Sequence, residues 1–240
     1  LVKTLILVAG LTMWGHGAQA CRLALVLAMD VSSSVDATED ALQRAGLAAA
    51  LVAPSVRDAF FASDAPVALA VFEWSGRNDQ RLIQDWVLIE NEATLTQVAT
   101  QIATTRRIVA ERPTALGYAL GFSAGLLAVA PDCAAQTIDV SGDGLNNDGF
   151  EPRQAYDVFD LDGVTVNGLV IEEPDDAAFR EGQIDLLSYY VQNVIQGPAA
   201  FVEFADGFED FARAMEAKLI RELGVLMIGQ NAAVSDEHGG

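Results

Sequence analysis

The pattern of apolar and polar positions divides the chain into short, alternating segments. Leu23–Met29 is a continuous apolar run that breaks at Asp30, as expected of a strand buried on both faces of a sheet. Ala37–Val52 reads as a helix with alanine and leucine on its inner face. Val67–Trp74 and Leu82–Ile89 read as strands. The short GRNDQ link between them suits a hairpin, so the second strand should run antiparallel to the first. Ala93–Thr105 and Thr114–Val129 read as helices, Gln136–Ser141 as a central strand and Arg153–Phe159 as a short helix. Val164–Ile171 follows as a strand, 175–188 as a helix and Ala200–Phe204 as a last strand. Phe208–Leu223 closes the series as a helix with Phe208, Phe211, Met215 and Leu219 on one stripe. Strands alternating with helices predict an α/β fold: a doubly wound, mostly parallel sheet covered on both faces. A flexible tail is expected over 225–240, loosest beyond about Gln230.

Chemistry collects where these strands end. The segment Leu23–Ser34, LALVLAMDVSSS, places Asp30, Ser32 and Ser34 at alternate positions just past an apolar strand. Open parallel sheets hold their ligand sites at the carboxyl ends of strands, and hard divalent cations take oxygen ligands with water completing the shell. A Ser/Asp-rich turn is equally the signature of a helix N-cap, here for the helix that begins near Asp36. Two further segments bear on the choice. QTIDVSGD at 136–143 is a second apolar-to-acidic strand end and places Asp143 as Asp30 is placed on its own strand. Thr114 opens a helical segment after Pro113, which disfavours helix for the residue before it.

Together, Asp30, Ser32, Ser34, Thr114 and Asp143 resemble the metal-ion-dependent adhesion site of von Willebrand factor type A (VWA) domains. The phrases LALVLAMDVSSSVD, VFEWSG, RPTALGYAL and IDVSGDGLNND are similar to a bacterial exported subfamily of unassigned function, and the likeness extends over about Leu23–Leu223. The resemblance implies a six-stranded Rossmann-like sheet ordered 3-2-1-4-5-6 with an antiparallel edge strand. It also implies that Ser32, Ser34 and Thr114 are hydroxyl ligands of Mg²⁺ (or Mn²⁺ or Ca²⁺). Asp30 and Asp143 would hold metal-bound water or reach the ion directly. The function it implies is adhesion-type binding of a protein partner through an acidic side chain.

Other polar and aromatic residues flank this core. Trp74 and Ser75 end the strand next to the first, and Asn146 follows Asp143, so all three are candidates for the rim of a binding site; an exposed Trp74 would be a binding anchor, and a buried Trp74 covering the sheet edge is the alternative. Arg106, Arg107 and Arg112 precede Thr114 and could steer an acidic ligand or be solvated loop charges. Asn146–Gly149 hints at a calcium loop, but Leu145 breaks the alternation of oxygen side chains, and it reads as a turn. Gly121–Gly125, GFSAG, matches the elbow of serine hydrolases, but it lies inside a helical segment instead of at a strand-to-helix break. Gly117, Gly121 and Gly125 share one helix face and suit close packing on a sheet. The two histidines, His16 and His238, fall in the leader and the tail, so a triad around Ser123 lacks its base. Binding is the favoured reading over catalysis. A structural subunit whose metal site is never occupied is the third reading.

Residues 1–20 read as a secretory signal: Lys3, an apolar core, and Ala18-Gln19-Ala20 as a cleavage site. Residues 21–224 would then form the VWA-like domain, exported to the periplasm or secreted. Cys21 lies nine residues before Asp30 and Cys133 ten before Asp143. If both aspartates end neighbouring parallel strands, both cysteines lie near the opposite ends, within reach of a disulfide; two unrelated thiols are the alternative. The formal net charge of −20 argues against nucleic acid and anionic membrane surfaces as partners and suits solubility. No segment after the leader is long and uncharged enough to span a bilayer.

Overall fold

Asp36 starts the first helix, and this settles what the serines before it are free to do. Its side chain accepts from the N–H groups of Thr38 (2.6 Å) and Glu39 (2.9 Å), and Glu39 caps Asp36 N–H in return. The helix α1, Ala37–Val52, thus has its cap without drawing on Ser32 or Ser34. The computed structural model describes residues 21–107, 112–172 and 185–236, with side chains as far as 224. The expected signal segment, and the part of the expected helix 175–188 before 185, lie outside the described residues.

Six strands form one sheet: β1 Leu23–Asp30, β2 Val67–Trp74, β3 Gln80–Ile89, β4 Gln136–Gly142, β5 Thr165–Glu172 and β6 Val202–Asp206, in the order β3-β2-β1-β4-β5-β6. β3 alone is antiparallel, joined to β2 by the hairpin. β1 lies at the centre between β2 and β4, parallel to both, and every one of its residues is buried. Alternation sends Leu23, Leu25, Leu27 and Met29 to one face and Ala24, Val26 and Ala28 to the other.

The first face is covered by α1, by α3 (Glu92–Thr104) and by the last helix, α7 (Phe211–Asp236). The second is covered by α4 (Leu116–Leu127), α5 (Pro152–Val158) and α6 (Leu186–Tyr189), which runs on into a π turn at Tyr190–Val194. The expected stripe is buried: Phe208 lies in a 3₁₀ turn just before the last helix, Phe211, Met215 and Leu219 lie on it, and Leu223 extends it. That helix continues to Asp236, so the expected tail is helical over 225–236, and Gly224 lies inside the helix instead of bounding it. The residues after Gly224 are rich in helix formers, and no proline stops the turn. A short helix that the apolar pattern did not signal, α2 (Pro54–Phe60), starts with proline in its first turn, where the missing N–H costs nothing.

Two long-range clamps close the amino-terminal end of the sheet. Cys21 and Cys133 are disulfide-bonded with Cα atoms 4.5 Å apart, closing the predicted link between the strand starts. Arg22 is fully buried and donates to the carbonyls of Ala59 (2.8 Å), Phe60 (3.3 Å) and Leu223 (3.1 Å). It thereby satisfies carbonyls at the end of α2 that have no helical partner of their own. Among the described residues, no helix is long and apolar enough to cross a membrane.

Candidate functional site

The carboxyl ends of β1 and β4 lie side by side, and the two loops leaving them meet the turn before α4. Asp30 is the last residue of β1 and has no exposed surface. One of its oxygens, Oδ1, accepts from the Ser32 N–H at 2.7 Å, which folds the chain back over the strand end. Ser32 and Ser34 hydroxyls lie 3.2 Å apart. Thr114 Oγ1 donates to Ser32 Oγ at 3.2 Å, and Ser34 Oγ donates to Asp143 Oδ1 at 2.7 Å. All five predicted residues are therefore brought into one hydrogen-bonded group. Asp30, Ser32 and Thr114 form a buried floor, Asp143 is partly exposed, and Ser34 is at the open mouth.

The surrounding loops are held rigidly. Gln43 from α1 donates to the Asp30 carbonyl (2.8 Å), and the Arg107 guanidinium donates to the carbonyls of Val31 (2.7 Å), Ser32 (2.9 Å) and Val35. Arg107 is thus a backbone clamp for the loop that carries the serines, a role that its place in an arginine-rich segment did not signal. Asn147 fixes Thr114 from both sides: its Oδ1 accepts from Thr114 N–H (2.8 Å), and its own N–H donates to the Thr114 carbonyl (2.9 Å). Asp148 N–H shares that carbonyl (3.1 Å), while its carboxylate pairs with Arg77, which holds it below the usual carboxylate range. The Asn146–Gly149 run therefore works as a turn that positions Thr114. Asn146 Oδ1 faces the N–H of Gly117 at 3.5 Å, at the start of α4, whose N-cap residue Ala115 supplies no side-chain cap.

Trp74 takes the buried one of its two alternatives, and Ser75 is likewise withdrawn from the rim. Both are fully buried: Trp74 fills the core on the α4 side, and Ser75 takes the Ala115 N–H on its carbonyl (2.8 Å). A side chain inside the core cannot anchor a partner, so neither forms an exposed rim. The GFSAG segment is interior to α4. Ser123 is fully buried and donates to the Ala119 carbonyl at 2.9 Å, so its hydroxyl is neither exposed nor free to attack. The α4 glycines do not pack on the sheet as expected. A methyl at Gly117 would meet the Phe150 carbonyl at 2.1 Å, one at Gly121 the Phe159 ring at 2.7 Å, and one at Gly125 nothing within 4 Å. The close approach is to the chain on either side of α5.

The electrostatics of the floor favour an added positive charge. Burial, and then the nearby Asp143, push the Asp30 carboxyl well above its ordinary range; the Ser32 N–H and Arg107 oppose this. Asp30 Oδ2 is buried without a hydrogen-bond partner among the described residues. Two carboxylates and three hydroxyls around one opening make a hard oxygen set, the kind that Mg²⁺ or Mn²⁺ accepts with water in the remaining positions. Among the described residues, no group of three or more His, Cys, Asp or Glu side chains is gathered, here or elsewhere, so a cation at this opening would depend on the hydroxyls as well as the two carboxylates. The donor chemistry of this set fits a divalent cation.

Sheet order, edge strand and loop arrangement define a VWA-type fold. Residues 20–227 match the family described as protein of unknown function DUF1194, and the chain belongs to that family. It matches no curated protein sequence. Solved structures with a similar fold include a von Willebrand factor type A protein from Catenulispora acidiphila (TM-score 0.57, 15% identity, covering 85% of this chain and 43% of that one). A second is proximal thread matrix protein 1 from the mussel byssus, with a zinc-occupied adhesion-site motif (0.58, 14%, 85% and 46%). A third is the pilus adhesin SpaC from Lactobacillus rhamnosus GG (0.59, 14%, 87% and 31%). This chain spans about half the length of the byssus protein, 46–47% in its different crystal structures.

Proposed function

We propose that this protein is an exported binding module that takes a divalent cation on Asp30, Ser32, Ser34, Thr114 and Asp143 and uses it to hold an acidic group of a protein partner. The observation that carries this reading is the five-residue oxygen cup, buried at its Asp30 floor and open at Ser34 and Asp143. When bound, the cation supplies a positive centre for an incoming carboxylate. The chain's own part is to hold the hydroxyls in place through Asp36, Arg107 and Asn147 and to keep one side of the site open to solvent. No histidine or free cysteine base stands among the side chains that form the cup, which favours binding over acid–base turnover. The adhesin and the metal-occupied byssus protein among the structural neighbours support a protein-binding role. The Cys21–Cys133 bridge supports export of residues 21–224 after removal of a signal over 1–20.

Mg²⁺ and Mn²⁺ should each bind a single site by calorimetry, and Asp30→Ala and Asp143→Ala should abolish this while leaving the circular dichroism unchanged. Unaltered affinity in both variants would sink the proposal. A pull-down with and without EDTA then separates cation-dependent binding from a structural subunit that never fills its site, because the latter would capture its partner in the chelator.

A further inference from the structure

Tyr190 lies beneath the candidate site, on the side away from solvent. It begins the π turn that follows α6, a rare local geometry often found next to functional sites. Its ring crosses two neighbouring strands at positions where both carry glycine. A methyl at Gly168 on β5 would lie 2.7 Å from Tyr190 Cδ1, and one at Gly142 on β4 would lie 2.6 Å from the hydroxyl oxygen. The same point at Gly142 lies 2.9 Å from Asp30 Oδ2. The sheet thus leaves out two side chains, and the phenol oxygen and the inner oxygen of the buried aspartate both border the space that a methyl at Gly142 would fill.

The hydroxyl has no use in the packing. Tyr190 is fully buried, and its oxygen has no hydrogen-bond partner among the described residues; neither does Asp30 Oδ2. Its neighbours are different: Tyr156 donates to the Val194 carbonyl, and Tyr189 donates to Glu151 at 3.0 Å. A buried donor left unmade is costly, so phenylalanine would be the better residue if only the ring mattered. The two unmade atoms are a donor and an acceptor that converge on one spot.

We infer that the Tyr190 hydroxyl is a positioning group for the cation site, holding the inner oxygen of Asp30 directly or through one buried water when a divalent ion is bound. The inference rests on the reading of the five-residue cup as a cation site. Tyr190 touches neither the ion nor the partner. It fixes the orientation of a carboxylate that does face the site, as the outer hydrogen bonds of metal ligands commonly do.

The test is Tyr190→Phe in the otherwise unaltered chain, with Mg²⁺ and Mn²⁺ as probes. Affinity should fall about tenfold, toward the low end of the usual effect of such partners. The midpoint of thermal unfolding in EDTA should stay the same or rise, because the ring is kept and an unpaired hydroxyl is lost. Near-ultraviolet difference spectra should show a tyrosine perturbation on Mg²⁺ addition in the wild type that the variant lacks. Affinity within twofold of the wild type overturns the inference, as does a lowered midpoint in EDTA with unchanged affinity, which would make Tyr190 a packing residue only. If the wild type binds neither ion, the cation site itself fails along with the inference. Wild-type binding that Asp30→Ala abolishes and Tyr190→Phe leaves intact removes the inference alone.

Discussion

Two pairs of acids lie against the central strands, and their surroundings differ. Asp139 on β4 and Glu222 on α7 meet under the last helix, on the face away from α4. There Lys218, fully buried, lies 2.6 Å from Glu222 and 2.8 Å from Asp139, the latter close enough for an ion pair though not aligned as a hydrogen bond. Asn167 on β5 adds a donor to Glu222 (2.8 Å) and takes the Phe201 N–H on its own oxygen (3.1 Å). At the strand ends, Asp30 and Asp143 are joined through serine and threonine hydroxyls, and the guanidinium of Arg107 is turned to backbone carbonyls. One site carries its cation as a side chain and is sealed, whereas the other offers hydroxyls and opens to solvent. Sealing with an internal ammonium serves the fold; the open oxygen set is the one for which a cation is proposed.

Removing the internal cation should have the largest effect. Lys218→Met leaves two acids buried together and should destabilise the protein by about 3–5 kcal/mol in urea unfolding; a loss below about 1 kcal/mol would mean that the lysine is not what holds the acids. Supplying the external cation acts next. Mg²⁺ at a hundredfold excess over its dissociation constant should stabilise the wild type by about 2.7 kcal/mol and Asp30→Ala by nothing. Stabilisation that survives in Asp30→Ala would place the ion elsewhere.

A pH slope tests the sealed site in a third way. The Asp139 carboxyl is pushed up to about 7 from 3.8, chiefly by burial, with Lys218 opposing and Glu222 adding to the shift. The folded state therefore holds this proton more tightly than the unfolded chain. The stability it contributes is complete below 3.8 and is lost as pH rises through about 7. In EDTA, the melting temperature of the wild type should fall between those limits, and Asp139→Asn should flatten the fall. Burial raises Asp30 in the same direction, so an equal slope in both proteins would assign the effect to the strand end.

The contrast between the sites also explains what could be read from the chain alone. Asp30, Ser32 and Ser34 were legible because their arrangement is local, and Thr114 and Asp143 followed from where strands and helices begin and end. The sheet order came from the resemblance, and only the antiparallel β3 was also signalled by its hairpin. Arg22, Arg107 and Tyr190 were hidden because each acts on backbone or side chains far away in sequence. The Lys218 cluster did leave a trace. Lys218 lies seven residues after Phe211 and Glu222 seven after Met215, so both fall on the apolar stripe of α7, and Asp139 interrupts an apolar strand. Charges at core positions on two elements are a sign that they meet. Trp74 could be read either as an anchor or as core, because the end of a strand need not be the edge of the core; here α4 covers it.

The disulfide has a mechanical consequence. Cys21 stands just before β1, whose eight residues span roughly 26 Å to Asp30 at ~3.3 Å per residue. A pull applied at the Asp30 loop and resisted at residue 21 runs lengthwise along the central strand. Its hydrogen bonds to β2 and β4 on both sides then carry the load in shear, together, instead of opening one after another. The covalent link to Cys133 passes part of that load to the start of β4, whose far end carries Asp143. The two carboxylates of the cup are thus the tips of two parallel struts bolted together at their base.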